Sequence, residues 1–168
     1  SIAPQNSTDS GLIKLKALGE RCRSSVNWLG YLSSTGVYGD RKGGWVNENS
    51  KLDTITYQGK ARVITEMAWS NFSSKNNIPL FIFRIAGIYG PQRNVFTRIQ
   101  SGGVQKIIKS NQYFNRIHVD DLVGAVCISL GQPKLAGIYN ISDDLPTSGA
   151  EIIDKATNML GLPLLPAI

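Results

Sequence analysis

Leu12, Leu15, Leu18 and Cys22 recur every three to four residues, so residues about 10–25 are predicted to form an amphipathic helix. A short apolar run, Trp28 to Leu32, follows and ends in the polar stretch SSTGVYG, the pattern of a buried strand entering a loop. Helical spacing returns over about 56–76, with Val63, Ile64, Met67, Ala68 and Phe72 on one side, until Asn76, Asn77 and Pro79 stop it. LFIFRI, Leu80 to Ile85, is the second strand, followed by the Gly-rich turn AGIYGP. Residues 94–102 and about 119–131 read as helices, the second opened by Asp120 and Asp121 as capping groups. Gly137 to Ile141 is a third strand, and a Ser148-x-x-Glu151 capping box starts a last helix that runs to Leu160.

Alternating helices and strands predict an α/β fold with a parallel sheet covered on its faces by helices. Ligands bind such sheets beyond the carboxyl ends of the strands. Both SSTGVYG and AGIYGP fall at those ends, so one cleft can be lined by both loops.

Composition changes this picture little. With 168 residues, 42% apolar and 18% charged, the chain fits a single globular domain. The net charge of +6 makes anionic partners worth weighing, but the basic residues are scattered and contain no run of five. Nucleic acid is therefore not expected as a partner. Cys22 and Cys127 form no disulfide framework, and Cys127, among Val123, Val126 and Leu130, is predicted as a small core residue. His118 stands alone, so no histidine-based metal site is expected, and its turn gives it a structural hydrogen bond. No apolar stretch approaches the ~20 residues of a membrane span. These features predict a soluble protein of the cytoplasm or an organelle interior. The chain opens Ser-Ile-Ala-Pro, as though a strand had just ended upstream, and reads as a fragment.

Four segments, in order, carry a resemblance: LSSTGVYGD (Leu32–Asp40), QGKARVITE (Gln58–Glu66), FRIAGIYGP (Phe83–Pro91), and RIHVDDLVGA (Arg116–Ala125) followed by GIYNISDD (Gly137–Asp144). Together they resemble the extended short-chain dehydrogenase/reductases, the NAD(P)-dependent epimerase/dehydratase group. The resemblance implies the C-terminal half of a doubly wound NAD(P)-binding Rossmann domain, at 1–92 and 116–142, plus a small substrate lobe at 93–115 and 143–168. Counting four back from Tyr38 makes Ser34 the hydroxyl that contacts the reacting oxygen, a role suited to a group that donates and accepts. Ser33, Arg62, Ala86 and Gly87 are the implied cofactor contacts at the nicotinamide end. Thr35, Tyr38, Arg93 and Arg116 are the implied substrate contacts. The cofactor is NAD or NADP, the substrate a small molecule such as a sugar derivative, and a homodimer through the 58–76 helix is expected.

The chain departs from the family pattern in three places. Aligned through Gly59 and Glu66, the acid/base Tyr position holds Gln58 and the Lys position four residues on holds Arg62. Gln transfers no proton at neutral pH, and Arg holds a ribose or phosphate but is a poor proton donor. A slip of one residue would bring Tyr57 to the site instead, with Lys60 beside it. The Gly-x-x-Gly-x-x-Gly phosphate loop is absent, as is the ribose reader after the second strand. Phe114 occupies the place of the diphosphate-gripping Arg, which is displaced to Arg116. An atypical NAD(P)-dependent oxidoreductase or epimerase/dehydratase-like enzyme is the leading expectation. A non-catalytic dinucleotide- or ligand-binding protein that lost the dyad competes with it.

Overall fold

An arginine in the middle of an apolar strand needs a partner brought from elsewhere, and that need organises the sheet. β2 (Leu80–Ile85) is buried along almost its whole length and lies between β1 (Leu29–Ser34) and β5 (Gly137–Ile141), parallel to both. The computed structural model describes residues 26–168; the predicted strand tail at Ser1–Pro4 and helix at 10–25 lie outside them.

Side chains of β2 alternate between the two sheet faces. Phe81, Phe83 and Ile85 form one core with Ile117 and Leu122, flanked by Trp28, Leu32, Val126 and Ile141. Rings stack along this face, Trp28 on Phe81 at 6.2 Å and Phe81 on Tyr139 at 6.1 Å between centroids. Arg84 points to the other face, where α1 (Tyr57–Asn76) crosses from β1 to β2. Helices therefore cover both faces, the doubly wound arrangement. Thr56 caps the first turn of α1 through Gly59 N, and Asn77 ends the helix in the left-handed conformation at φ 52°.

The apolar positions of α1 do not define its inner face. Gly59, Thr65 and Glu66 are buried, whereas Ile64 and Met67 are 58% and 62% exposed. Two glycines have no substitute here. Gly39 turns the chain at φ 75° with Asp53 O in the place a Cβ would take, and a Cβ on Gly59 would overlap Thr54.

AGIYGP, predicted as a turn, contains β3 (Gly87–Tyr89), which pairs in parallel with β4 (Arg116–His118) as a separate two-stranded sheet. Three residues give too little alternation to be read as a strand. α2 (Val95–Gln100) packs against α4 (Gly149–Met159), and Lys106, in the segment after α2, pairs with Asp154 on α4 at 2.8 Å. Ser148 caps α4 as its sequence predicts, while Glu151 pairs with Lys155 at 3.0 Å rather than reaching back to the cap. α3 (Val119–Leu130) is capped by His118, whose Nδ1 accepts from Asp120 N; Asp120 and Asp121 occupy its first turn and do not cap it. Cys127 is exposed, because α3 turns Leu122, Val126 and Ser129 inward and Val123, Cys127 and Leu130 outward. Among the described residues no helix is long and apolar enough to cross a membrane.

Candidate active site at the strand ends

β1 runs two residues further than its apolar pattern, through Ser33 and Ser34, before a 3-10 turn, Thr35–Tyr38. Alternation sends the two serine side chains in opposite directions. Ser33 faces α1, and its Oγ donates to Glu66 Oε1 at 2.5 Å. Ser34 is half-buried and caps the 3-10 turn, its Oγ accepting from Gly36 N at 3.1 Å. Thr35 follows it at the partly exposed rim.

Beneath this turn lies a buried polar network. Glu66 and Arg84 are 4% and 3% exposed. Arg84 Nη2 donates to Glu66 Oε2 at 2.8 Å, and Nε donates to the same carboxylate at 3.2 and 3.3 Å. Nη1 donates to Tyr38 Oη at 2.9 Å and to Glu48 O at 3.0 Å. Tyr38 Oη in turn donates to Asn140 Oδ1 at 2.6 Å, and Asn140 N donates to Glu48 Oε1 at 2.8 Å. Burial on its own would lower the Arg84 pKa. The hydrogen bonds from Glu66 and Tyr38 and the Glu66 charge outweigh it and raise the pKa above the usual arginine value, so Arg84 stays cationic.

This network engages two of the expected site residues. The Ser33 hydroxyl, expected to contact cofactor, is committed to Glu66, and the Tyr38 side chain, expected to contact substrate, is 2% exposed and committed to Asn140 and Arg84. Both side chains hold the turn from inside. Neither Glu66, Arg84, Glu48 nor Asn140 emerges from sequence reasoning as a functional residue. The signal was present for Arg84, a lone charge inside LFIFRI, which must find a counter-charge if the strand is buried.

The remaining candidates distribute as follows. Arg62 on α1 is half-buried and donates from Nη1 to Leu32 O at 3.0 Å, just before the two serines. Gln58, one turn earlier on the same helix face, is exposed, and Tyr57 is 54% exposed at the helix start. Ala86 and Gly87 follow β2 directly, and the register Ser34↔Ile85 sets them beside the serine turn. Gly87 pairs with Arg116, whose Nη1 donates to Phe114 O at 3.1 Å and Thr147 Oγ1 at 2.5 Å. Arg93 lies apart, exposed in the Gly90–Arg93 turn. The described residues contain no cluster of His, Cys, Asp and Glu suited to a metal ion.

A parallel sheet with helices on both faces and small polar residues at its carboxyl edge defines a Rossmann-type α/β protein. The model of the NAD dependent epimerase/dehydratase family matches residues 10–142, and the chain belongs to that family. Protein YeeZ of Escherichia coli K12 is 31% identical over 137 residues, 79% of this chain and 46% of its own length. The chain thus spans about half the length of the curated relatives it matches. A conserved protein of unknown function from Silicibacter pomeroyi superposes with a TM-score of 0.89 at 40% identity, covering 100% of this chain and 58% of that one. UDP-glucose 4-epimerase from Thermus thermophilus, solved with NAD, gives a TM-score of 0.77 at 19% identity over 94% of this chain and 55% of its own, a likeness of fold alone.

Proposed function

We propose that this chain forms the nicotinamide- and substrate-facing part of an NAD(P)-dependent epimerase/dehydratase-like oxidoreductase of the atypical short-chain kind. One observation carries the reading: Ser34 and the Leu32-anchored Arg62 flank the same strand end, where this family's chemistry takes place. NAD or NADP, when bound, supplies the hydride acceptor. Ser34 Oγ, half-buried and able to donate and accept, holds the oxygen of the reacting carbon. Arg62 directs a fixed positive charge at the ribose or phosphate side, with Ala86 and Gly87 forming the opposite wall. Residues 1–92 and 116–142 are the dinucleotide-binding part, and 93–115 with 143–168 the substrate lobe, to which Thr35, Arg93 and Arg116 add polar and charged groups. The substrate is a small molecule of the sugar-derivative class, and the compartment is the cytoplasm or an organelle interior. The exposed Ile64 and Met67 on the outer face of α1 support a homodimer.

A second reading, a dinucleotide- or ligand-binding protein without catalysis, is favoured by the substitution of both dyad positions, Gln58 above all. It stands exposed in the proton-carrier position and has no proton to give at neutral pH. Calorimetric titration of NADH and NADPH into the full-length protein tests both. The first reading expects binding, about tenfold weaker in Arg62→Ala from loss of a charged hydrogen-bond donor, together with hydride exchange with a panel of free and nucleotide-linked sugar derivatives that Ser34→Ala abolishes. Binding without exchange selects the second reading, and absence of binding removes both.

A further inference from the structure

Glu66 does more than neutralise Arg84. Its Oε1 accepts from Ser33 Oγ on β1 as well as from Arg84 Nε on β2, so one buried carboxylate joins α1 to both strands. Gln58, Arg62 and Glu66 are spaced by four and stack on one helix face, about 6 Å apart along the axis. Ser33 is the residue before Ser34, and Leu32, the residue before Ser33, is the acceptor for Arg62. A shift of α1 by one position against β1 would therefore break the Ser33–Glu66 and Leu32–Arg62 contacts together. Arg84 Nη1 extends the same tie to Tyr38, the last residue of the turn that Ser34 caps.

We propose that Glu66 is a positioning residue: clamped by Ser33 and Arg84, it fixes the register of α1 against β1 and hence where Arg62 and Gln58 stand relative to Ser34. This rests on the strand-end reading above. The geometry matters because displacements near 1 Å in a site of this kind cost about a hundredfold in productive alignment. Apolar packing contributes little to the register near the site, since Ile64 and Met67 are exposed and the buried residues of α1 there are Gly59, Thr65 and Glu66, the large apolar Trp69 and Phe72 lying further along the helix.

The test uses the full-length protein, with NADH as the probe read by fluorescence titration and circular dichroism to confirm folding. Ser33→Ala cuts the tie to β1 but leaves the Glu66–Arg84 pair whole, and Glu66→Gln removes the charge at nearly constant shape. The expected result is NADH binding weakened by about three- to tenfold in Ser33→Ala and about tenfold or more in Glu66→Gln. The double variant should lose less than the two single losses combined, because Ser33 and Arg84 hold the same side chain. Affinities within twofold of wild type in folded Ser33→Ala overturn the proposal, and that variant decides alone should Glu66→Gln not fold. If the wild-type protein binds no NADH, the functional reading fails, and the register lock is judged by amide exchange. Gly36 N–H and Gly39 N–H, which close the serine turn, should then exchange about tenfold faster in Ser33→Ala, and unchanged exchange there overturns the proposal as well.

Discussion

Replacing Arg84 with Met should be among the most damaging single substitutions in the described part of the chain. Met fills much of the volume of the arginine stem but removes every donor. Glu66 then keeps a full charge at 4% exposure with Ser33 Oγ as its remaining described partner, and Glu48 O loses the Nη1 donor. Removing one member of a buried pair costs about 3–5 kcal/mol, because the partner charge stays buried without compensation. That is a large share of the ~5–15 kcal/mol that holds a typical domain together. Arg84→Lys retains the charge but not the three-nitrogen fork, so it should lose less, about 1–3 kcal/mol. Replacing both Glu66 and Arg84 with apolar residues of similar volume should recover most of the loss, since neither leaves an orphaned charge. Urea unfolding followed by circular dichroism reads this directly. With slopes of about 1–3 kcal/mol per molar, the Arg84→Met midpoint should fall by roughly 1–5 M, or the variant should be unfolded without denaturant. A loss under ~1 kcal/mol would refute the reasoning, because it would mean that water reaches the pair and that it behaves as a surface bridge.

Two further outcomes follow from the site geometry. Gly39→Ala forces a Cβ into the space of Asp53 O at a φ of 75°, so it should lower the melting temperature by several degrees, corresponding to about 1–3 kcal/mol; a shift below 1 °C would show that the 39–53 contact is loose. On the proposed reading, Gln58→Tyr combined with Arg62→Lys restores the family's proton-carrier pair; Gln58 is exposed and Lys keeps a positive charge beside Leu32 O, so the melting temperature should stay within a few degrees while hydride exchange rises by about tenfold or more over wild type.

Strand and helix identities were legible because their signals are local. LFIFRI and GIYNI became β2 and β5, and the Asn-rich stop after residue 75 became the left-handed cap at Asn77. Direction was less legible. The stripe of Val63, Ile64, Met67 and Ala68 suggested an inner face for α1, yet the buried side includes Thr65 and Glu66, because the sheet offers that helix an arginine and a serine rather than an apolar floor. Periodicity reports how apolar residues are spaced and does not report which neighbour a helix meets. The same limit explains Cys127, counted with an apolar stripe and found exposed. At the site, counting from Tyr38 located the serine turn, but the partners of Ser33 and Tyr38 lie 33 and 102 residues away along the chain, beyond any local pattern.

The two departures from the family's proton-carrier pattern and the retained network sit on the same helix but under different energetic rules. Gln58 is exposed in the first turn of α1, where substitutions away from special contacts change stability by about 0.5 kcal/mol or less. Glu66, two turns further, is held by Ser33 and Arg84 in a buried position where a comparable change costs several kcal/mol. The fold therefore constrains position 66 and leaves position 58 free to vary with the chemistry. Gln at 58 takes no part in the buried hydrogen bonds that join Ser33, Glu66, Arg84 and Tyr38 beneath the serine turn. On the proposed reading, a scaffold of this kind serves hydride transfer or ligand binding alike, and the residue at 58 is where those two proposed uses diverge.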